Sequence, residues 1–157
     1  AKGEIGGVTV VVEQGKTVKA TDTGSFADPE TNKPIIEVGA DLVFVNYIIT
    51  NTGDEPITLG HSLVAIEPRY AGWPYMQGMD TVTDDALFEE AGVNKEGVEP
   101  GSEAPFVLAP GESYSFGENF LHEKDDITFD VRVLTVDEAG DIQHDKTVEG
   151  ELTGKIS

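Results

Sequence analysis

The chain has 157 residues, 30 of them acidic and 10 basic, giving a net charge of −20, and it contains no cysteine. A surface this negative repels nucleic-acid phosphates and anionic lipid. The lack of thiols removes disulfides, thiolate metal sites and cysteine nucleophiles. At 38% hydrophobic residues the chain is too apolar for a disordered segment, and its length suits one domain spanning 1–157.

Residues 1–7 are glycine-rich and are expected to be flexible, with a first strand at Val8–Val12. Gln14-Gly15 reads as a turn. Lys16 to Thr23 then alternates, with Val18 and Ala20 on one side and Thr17, Lys19 and Thr21 on the other, as in a half-exposed strand. Asp28–Pro34 is a loop by composition. Asp41–Thr50 is a run of β-branched and aromatic residues that stops at Asn51-Thr52-Gly53-Asp54-Glu55-Pro56, a buried strand followed by a polar turn. Leu42, Phe44 and Ile48 share one face of that strand with Asn46, and Val43, Val45, Tyr47 and Ile49 share the other. Apolar residues on both faces require cover on both sides, or a core face plus a loop packed over the outside. Asn46 needs hydrogen-bond partners if it is buried.

Ile57–Leu59 and Ser62–Ile66 continue the β pattern around Gly60-His61, and Pro68 is expected to end it. Periodicity is lost over 69–105, which reads as a long insertion with a short helix at 84–91. Thr83 can cap that helix, Asp84 and Asp85 suit its positive first turn, and Gly92 can stop it. Leu108–Glu112 is a turn. Tyr114, Phe116 and Phe120 fall on one side of the next strand, with Gly117 as a candidate bulge. Ile127–Val133 alternates cleanly, Glu138–Asp141 reads as a hairpin tip, and Val148, Gly150, Leu152, Gly154 and Ile156 make a last strand with a small-residue face. Seven to eight short strands with one brief helix in an insertion give an all-β fold, an antiparallel sandwich, with a barrel as the structural alternative.

The stretch VFVNYIITNTGDEPITL, followed later by LAPGESYSFGENF, resembles the immunoglobulin-like domains of exported Gram-positive, especially actinobacterial, lipoproteins and secreted antigens. The resemblance implies an immunoglobulin-like sandwich that is secreted or held at the cell surface. It implies no catalytic residues and no cofactor. A lipid anchor would have to lie upstream of residue 1, since this chain has no cysteine. The opening Ala1-Lys2-Gly3-Glu4 shows no signal segment, and no stretch approaches the roughly eighteen apolar residues of a membrane span.

Several constellations of residues have side chains suited to chemistry. Gly60-His61-Ser62-Leu63-Val64 is superficially like a nucleophile elbow, but Val64 stands where the elbow needs glycine, and a surface turn is the simpler reading. His61, His122 and His144 lie on three segments and would have to converge to hold a metal. Met76 and Met79 near Trp73 could supply soft ligands to copper. Asp80, Asp84 and Asp85, with Glu89 and Glu90, could supply oxygens to calcium, although their spacing is not that of an EF-hand and helix capping explains Asp84 and Asp85. Tyr70, Trp73, Tyr75 and Met76 concentrate aromatic surface in one irregular loop. They form either a platform for a glycan or protein ligand, or a satellite core with Leu87 and Phe88. The expected function is non-catalytic binding of a protein or glycan partner at the cell surface. The alternatives are a carbohydrate-binding module using 69–76, or a calcium- or copper-binding domain.

Overall fold

In a computed structural model describing residues 1–23, 27, 30–72, 85–93 and 105–157, without the side chains of 61–63, two glycines set the first turn. Gly6 and Gly7 sit at φ 59° and 83°, the conformation a two-residue hairpin needs at both central positions. They fold Lys2–Ile5 (β1) back onto Val8–Lys19 (β2). The opening residues expected to be flexible are therefore largely a strand. β2 also runs straight through Gln14-Gly15. The register shifts there, between Gln14 and Thr17, so the glycine marks a bulge and not a turn. A Cβ on Gly15 would lie 3.0 Å from the Phe44 carbonyl oxygen, so glycine lets the two strands approach closely at the bulge.

β3 (Asp41–Asn51) pairs with β2 on one side and with β6 (Ser113–Leu121) on the other. The first sheet thus has the order β1-β2-β3-β6. The second is β5 (Phe106–Leu108), β4 (Ile57–Tyr70), β7 (Asp126–Thr135) and β8 (Val148–Lys155), in the order β5-β4-β7-β8. All pairings between these strands are antiparallel. With β1 set aside, β2-β3-β6 against β5-β4-β7-β8 is the connectivity of an immunoglobulin-like sandwich, in which the chain changes sheet between β3 and β4, returns between β5 and β6, and changes again between β6 and β7.

Pro68, expected to end its strand, lies inside β4 opposite Phe129. β5 borders β4 only at Ile57–Leu59. Beyond Leu59 no described strand borders β4 on that side, and proline is tolerated on such an edge. β4 continues through Arg69 and Tyr70, so the insertion begins after Tyr70. Gly117 is not a bulge either: it pairs in regular register with Asn46, which is half-buried.

The two faces of β3 are covered by different means. Val43, Val45, Tyr47 and Ile49 point between the sheets and join Val10, Phe120, Phe129 and Val131 in the main core. Tyr47 packs on Phe116 at 5.0 Å and on Phe129 at 5.9 Å between ring centroids. Leu42 and Phe44 point outward, into a second core with Val18, Ala20, Ile36, Leu87, Phe88 and Ala91. The roof of that core is α1 (Asp85–Ala91), whose Leu87, Phe88 and Ala91 are buried and whose Phe88 meets Phe44 edge-on at 5.1 Å. Gly92, at φ 74°, closes the helix with its N–H on the Phe88 and Glu89 carbonyls, a glycine C-cap where one was expected.

The sheets close at one side by small residues. A Cβ on Gly150 of β8 would stand 3.0 Å from Ile5 of β1, and one on Gly3 would collide with Leu152. The small-residue face of the last strand is therefore the surface on which β1 lies.

Candidate functional site

The two segments that carry the resemblance meet in space. Asn51, fully buried, ends β3 and ties its turn to the turn before β6. Its side-chain Nδ2 donates to the Glu55 carbonyl at 2.8 Å and the Leu108 carbonyl at 2.9 Å, while its Oδ1 accepts from Gly53 N–H at 3.0 Å. Its backbone N–H and C=O engage Glu112 and Gly111. One amide thereby uses both donors and an acceptor to hold two loops distant in sequence, an arrangement that fixes scaffold and presents nothing to a ligand.

The opposite side of the sandwich, where β6 faces β4, is held by tyrosine hydroxyls. The Tyr114 hydroxyl accepts from Val64 N–H of β4 at 3.1 Å. The Tyr70 hydroxyl donates to the Leu121 carbonyl at 2.8 Å and accepts from Glu123 N–H at 3.2 Å. Between these lies Glu118, whose Oε2 accepts from the Tyr47 hydroxyl at 2.6 Å. The residue is half-buried by surface area, but its carboxyl group is bonded to a tyrosine with no exposed surface, and the carboxyl's surroundings set its protonation. Its pKa is raised to about 7 because burial and, to a lesser degree, the charge on Glu67 outweigh the lowering by the Tyr47 bond. Burial likewise lifts the Tyr47 phenol well above its ordinary value, and the Tyr70 phenol to about 12. Both stay protonated donors at neutral pH. Sequence reasoning passed over Glu118. The signal was there: it interrupts the inward series Tyr114, Phe116, Phe120 with an acid.

The outer faces of the two sheets differ. The first is roofed by α1. The second carries a groove of about 400 Å³ lined by Glu67, Asp130, Arg132, Glu149 and Glu151, among others. Register places Glu67, Asp130 and Glu151 directly opposite one another across three strands, and like charges so placed repel. Arg69 offsets part of this, 3.5 Å from Asp130 and 3.9 Å from Glu151, and Arg132 reaches Glu149 at 2.9 Å. The partners are largely exposed, and exposed pairs of this kind contribute between nothing and about 1 kcal/mol each. The groove is therefore a polar surface open to solvent with carboxylates in excess.

The residues singled out from sequence fall as follows. Tyr70 is 1% exposed and sits edge-on to Phe120 at 5.7 Å, so its ring offers no face to a sugar. Trp73, Tyr75, Met76, Asp80 and Asp84 lie outside the described residues, as do Met79 and Thr83. Asp85 is the first residue of α1. Leu87 and Phe88 pack in the second core on the outer face of β3, whereas Tyr70 belongs to the main core between the sheets. Residues 60–64 are strand, with the register of β4 shifting between Leu59 and Val64, so the serine segment is neither an elbow nor a surface turn. His122 follows β6 and bonds the Ser157 carbonyl at 3.0 Å, whereas His144 follows β7 at the other end of the sandwich, so these two cannot share a metal. Among the described residues no group of three or more His, Asp or Glu side chains has metal-binding geometry. No described helix is long and apolar enough to cross a membrane.

Scanning protein-family models and searching curated proteins and solved structures gave no match. The functional reading therefore rests on the residues and their geometry.

Proposed function

We propose that this chain is a non-catalytic interaction domain, exported and displayed at or beyond the cell surface, that contacts a partner through the outer face of β4, β7 and β8. The observation that carries this reading is the asymmetry of the sandwich: one outer face is roofed by α1, while the other, which no described segment covers, carries a charged groove across three strands. The sequence likeness to exported immunoglobulin-like domains supports the cellular setting. The groove's side chains come from paired strands, so contact has to order exposed side chains and not the backbone beneath them.

The test places a photo-crosslinking amino acid at Glu149 in the groove and, as a control, at the exposed Val38. The protein is expressed from its own gene in intact cells, and accessibility to added protease reports its location. Surface accessibility with a discrete crosslinked product from Glu149 alone is the expected result. A protein found only in the cytoplasm overturns the export reading. Equal or absent crosslinking at the two positions overturns the role of the face.

A further inference from the structure

We propose that the side of the sandwich where β6 meets β4 is a proton-operated clasp, closed while the Glu118 carboxyl is protonated and loosened when it ionises. The geometry has three parts. Tyr114 O–Val64 N and the Tyr70 bonds to Leu121 and Glu123 fasten β6 and its following turn to β4. Glu118 lies between these two fastenings on the same strand, bonded inward to Tyr47. Tyr47 itself is wedged against Phe116 and Phe129 and cannot turn outward with the carboxyl.

Ionisation strengthens the Tyr47 bond, but one charge-assisted hydrogen bond does not replace the hydration of a carboxylate. The ionisable groups acting on Glu118 are the Tyr47 phenol from β3 and the Glu67 carboxylate from β4. The first is a neutral donor, and the second carries like charge across the edge that must stay closed. Parting β6 from β4 relieves both the desolvation and the repulsion. The clasp also stands at the root of the insertion, because the chain leaves β4 immediately after Tyr70.

The direction with pH follows from the proton balance. Glu118 holds its proton up to about 7 in the closed form, against 4.5 for an ordinary glutamate. A group whose closed-state value is raised favours the closed form fully below the ordinary value and loses that contribution as pH climbs towards the raised one. The equilibrium for opening should therefore rise on the order of a hundredfold between pH 5 and pH 8.

Native-state hydrogen exchange, corrected for the intrinsic pH dependence of amide exchange, reads this directly. Protection of the Val64 and Glu123 amides, which are bonded to the clasp hydroxyls, should fall across that range in the wild type. Glu118→Gln, which keeps the shape and an acceptor for Tyr47, should flatten the dependence, while the β7–β8 ladder responds alike in both proteins. Equal slopes for wild type and E118Q at Val64 and Glu123, or no slope in the wild type, overturn the proposal. Should E118Q fail to fold, carboxyl-carbon NMR of the wild type decides: titration of Glu118 near pH 7 together with the exchange change supports the clasp, and titration below pH 5.5 sinks it.

Discussion

Replacing Asn51 with alanine removes one buried amide and orphans three backbone groups. The Leu108 carbonyl bond is buried, and the bonds to Glu55 and Gly53 are partly buried. A buried acceptor left without a partner costs about 1–3 kcal/mol, and each partly buried bond contributes about 1 kcal/mol. The sum is roughly 3–5 kcal/mol, a large share of the 5–15 kcal/mol that holds a typical domain folded. For a chain of this length, each kcal/mol moves the melting midpoint by about 2–4 °C, so a fall of roughly 6–20 °C is expected. Asn51→Asp is the sharper probe. It keeps the shape but puts a carboxylate oxygen where Nδ2 faces two carbonyl oxygens, and it should be worse than alanine above pH 5. Urea unfolding followed by far-ultraviolet circular dichroism gives the midpoint, with an unchanged slope showing that the denatured state is not the cause. A loss under about 1 kcal/mol for N51A, or N51D as stable as N51A, would refute the reasoning.

Phe88→Ala should lose about 3–5 kcal/mol, because the ring fills the second core against Phe44, while Val38→Ala, at a residue 64% exposed, should change the same urea midpoint little. Gly6→Ala and Gly111→Ala both place a side chain at positive φ (59° and 83°), but only at Gly6 does the new Cβ meet neighbours, Val148 at 3.1 Å and Val133 at 3.3 Å. Each should lose about 1–2 kcal/mol for the backbone, and a thermal-melt comparison should show G6A lower than G111A by the cost of crowding. Tyr70→Phe keeps the packing on Phe120 and deletes the hydroxyl between Leu121 and Glu123. It should cost about 1–2 kcal/mol and raise exchange of the Glu123 amide ahead of the β7 core.

The two-sheet architecture was legible where a segment's own residues decide its state. β3 declares itself by an unbroken run of β-branched and aromatic residues, and α1 by an acidic first turn and a glycine stop. What escaped was decided by partners far along the chain. Lys2-Gly3-Glu4-Ile5 looks like a loose tail, and it is a strand because β2 pairs with it and β8 is bare enough to receive it. A glycine bulge and a glycine turn have the same local composition, so Gly15 was misread. Pro68 stops a strand flanked on both sides, but not one with an open edge. The site fared similarly. The aromatic loop drew attention by composition, yet Tyr70 is interior. Asn51 looked like the start of a turn, because its second loop lies more than fifty residues on. Glu118 continues the inward series of Tyr114, Phe116 and Phe120, but the partner that lets an acid stand there, Tyr47, lies seventy-one residues away.

α1 is only seven residues long, yet the first sheet depends on it. Deleting it would strip the cover from Phe44, Leu42 and Ile36 and leave a contiguous apolar patch on the outside of the first sheet, the kind of surface that brings molecules together indiscriminately. Substitution in α1 should consequently be tolerated at its exposed Glu89 and Glu90 and not at Leu87, Phe88 or Ala91, so that seven residues guard the sheet against self-association.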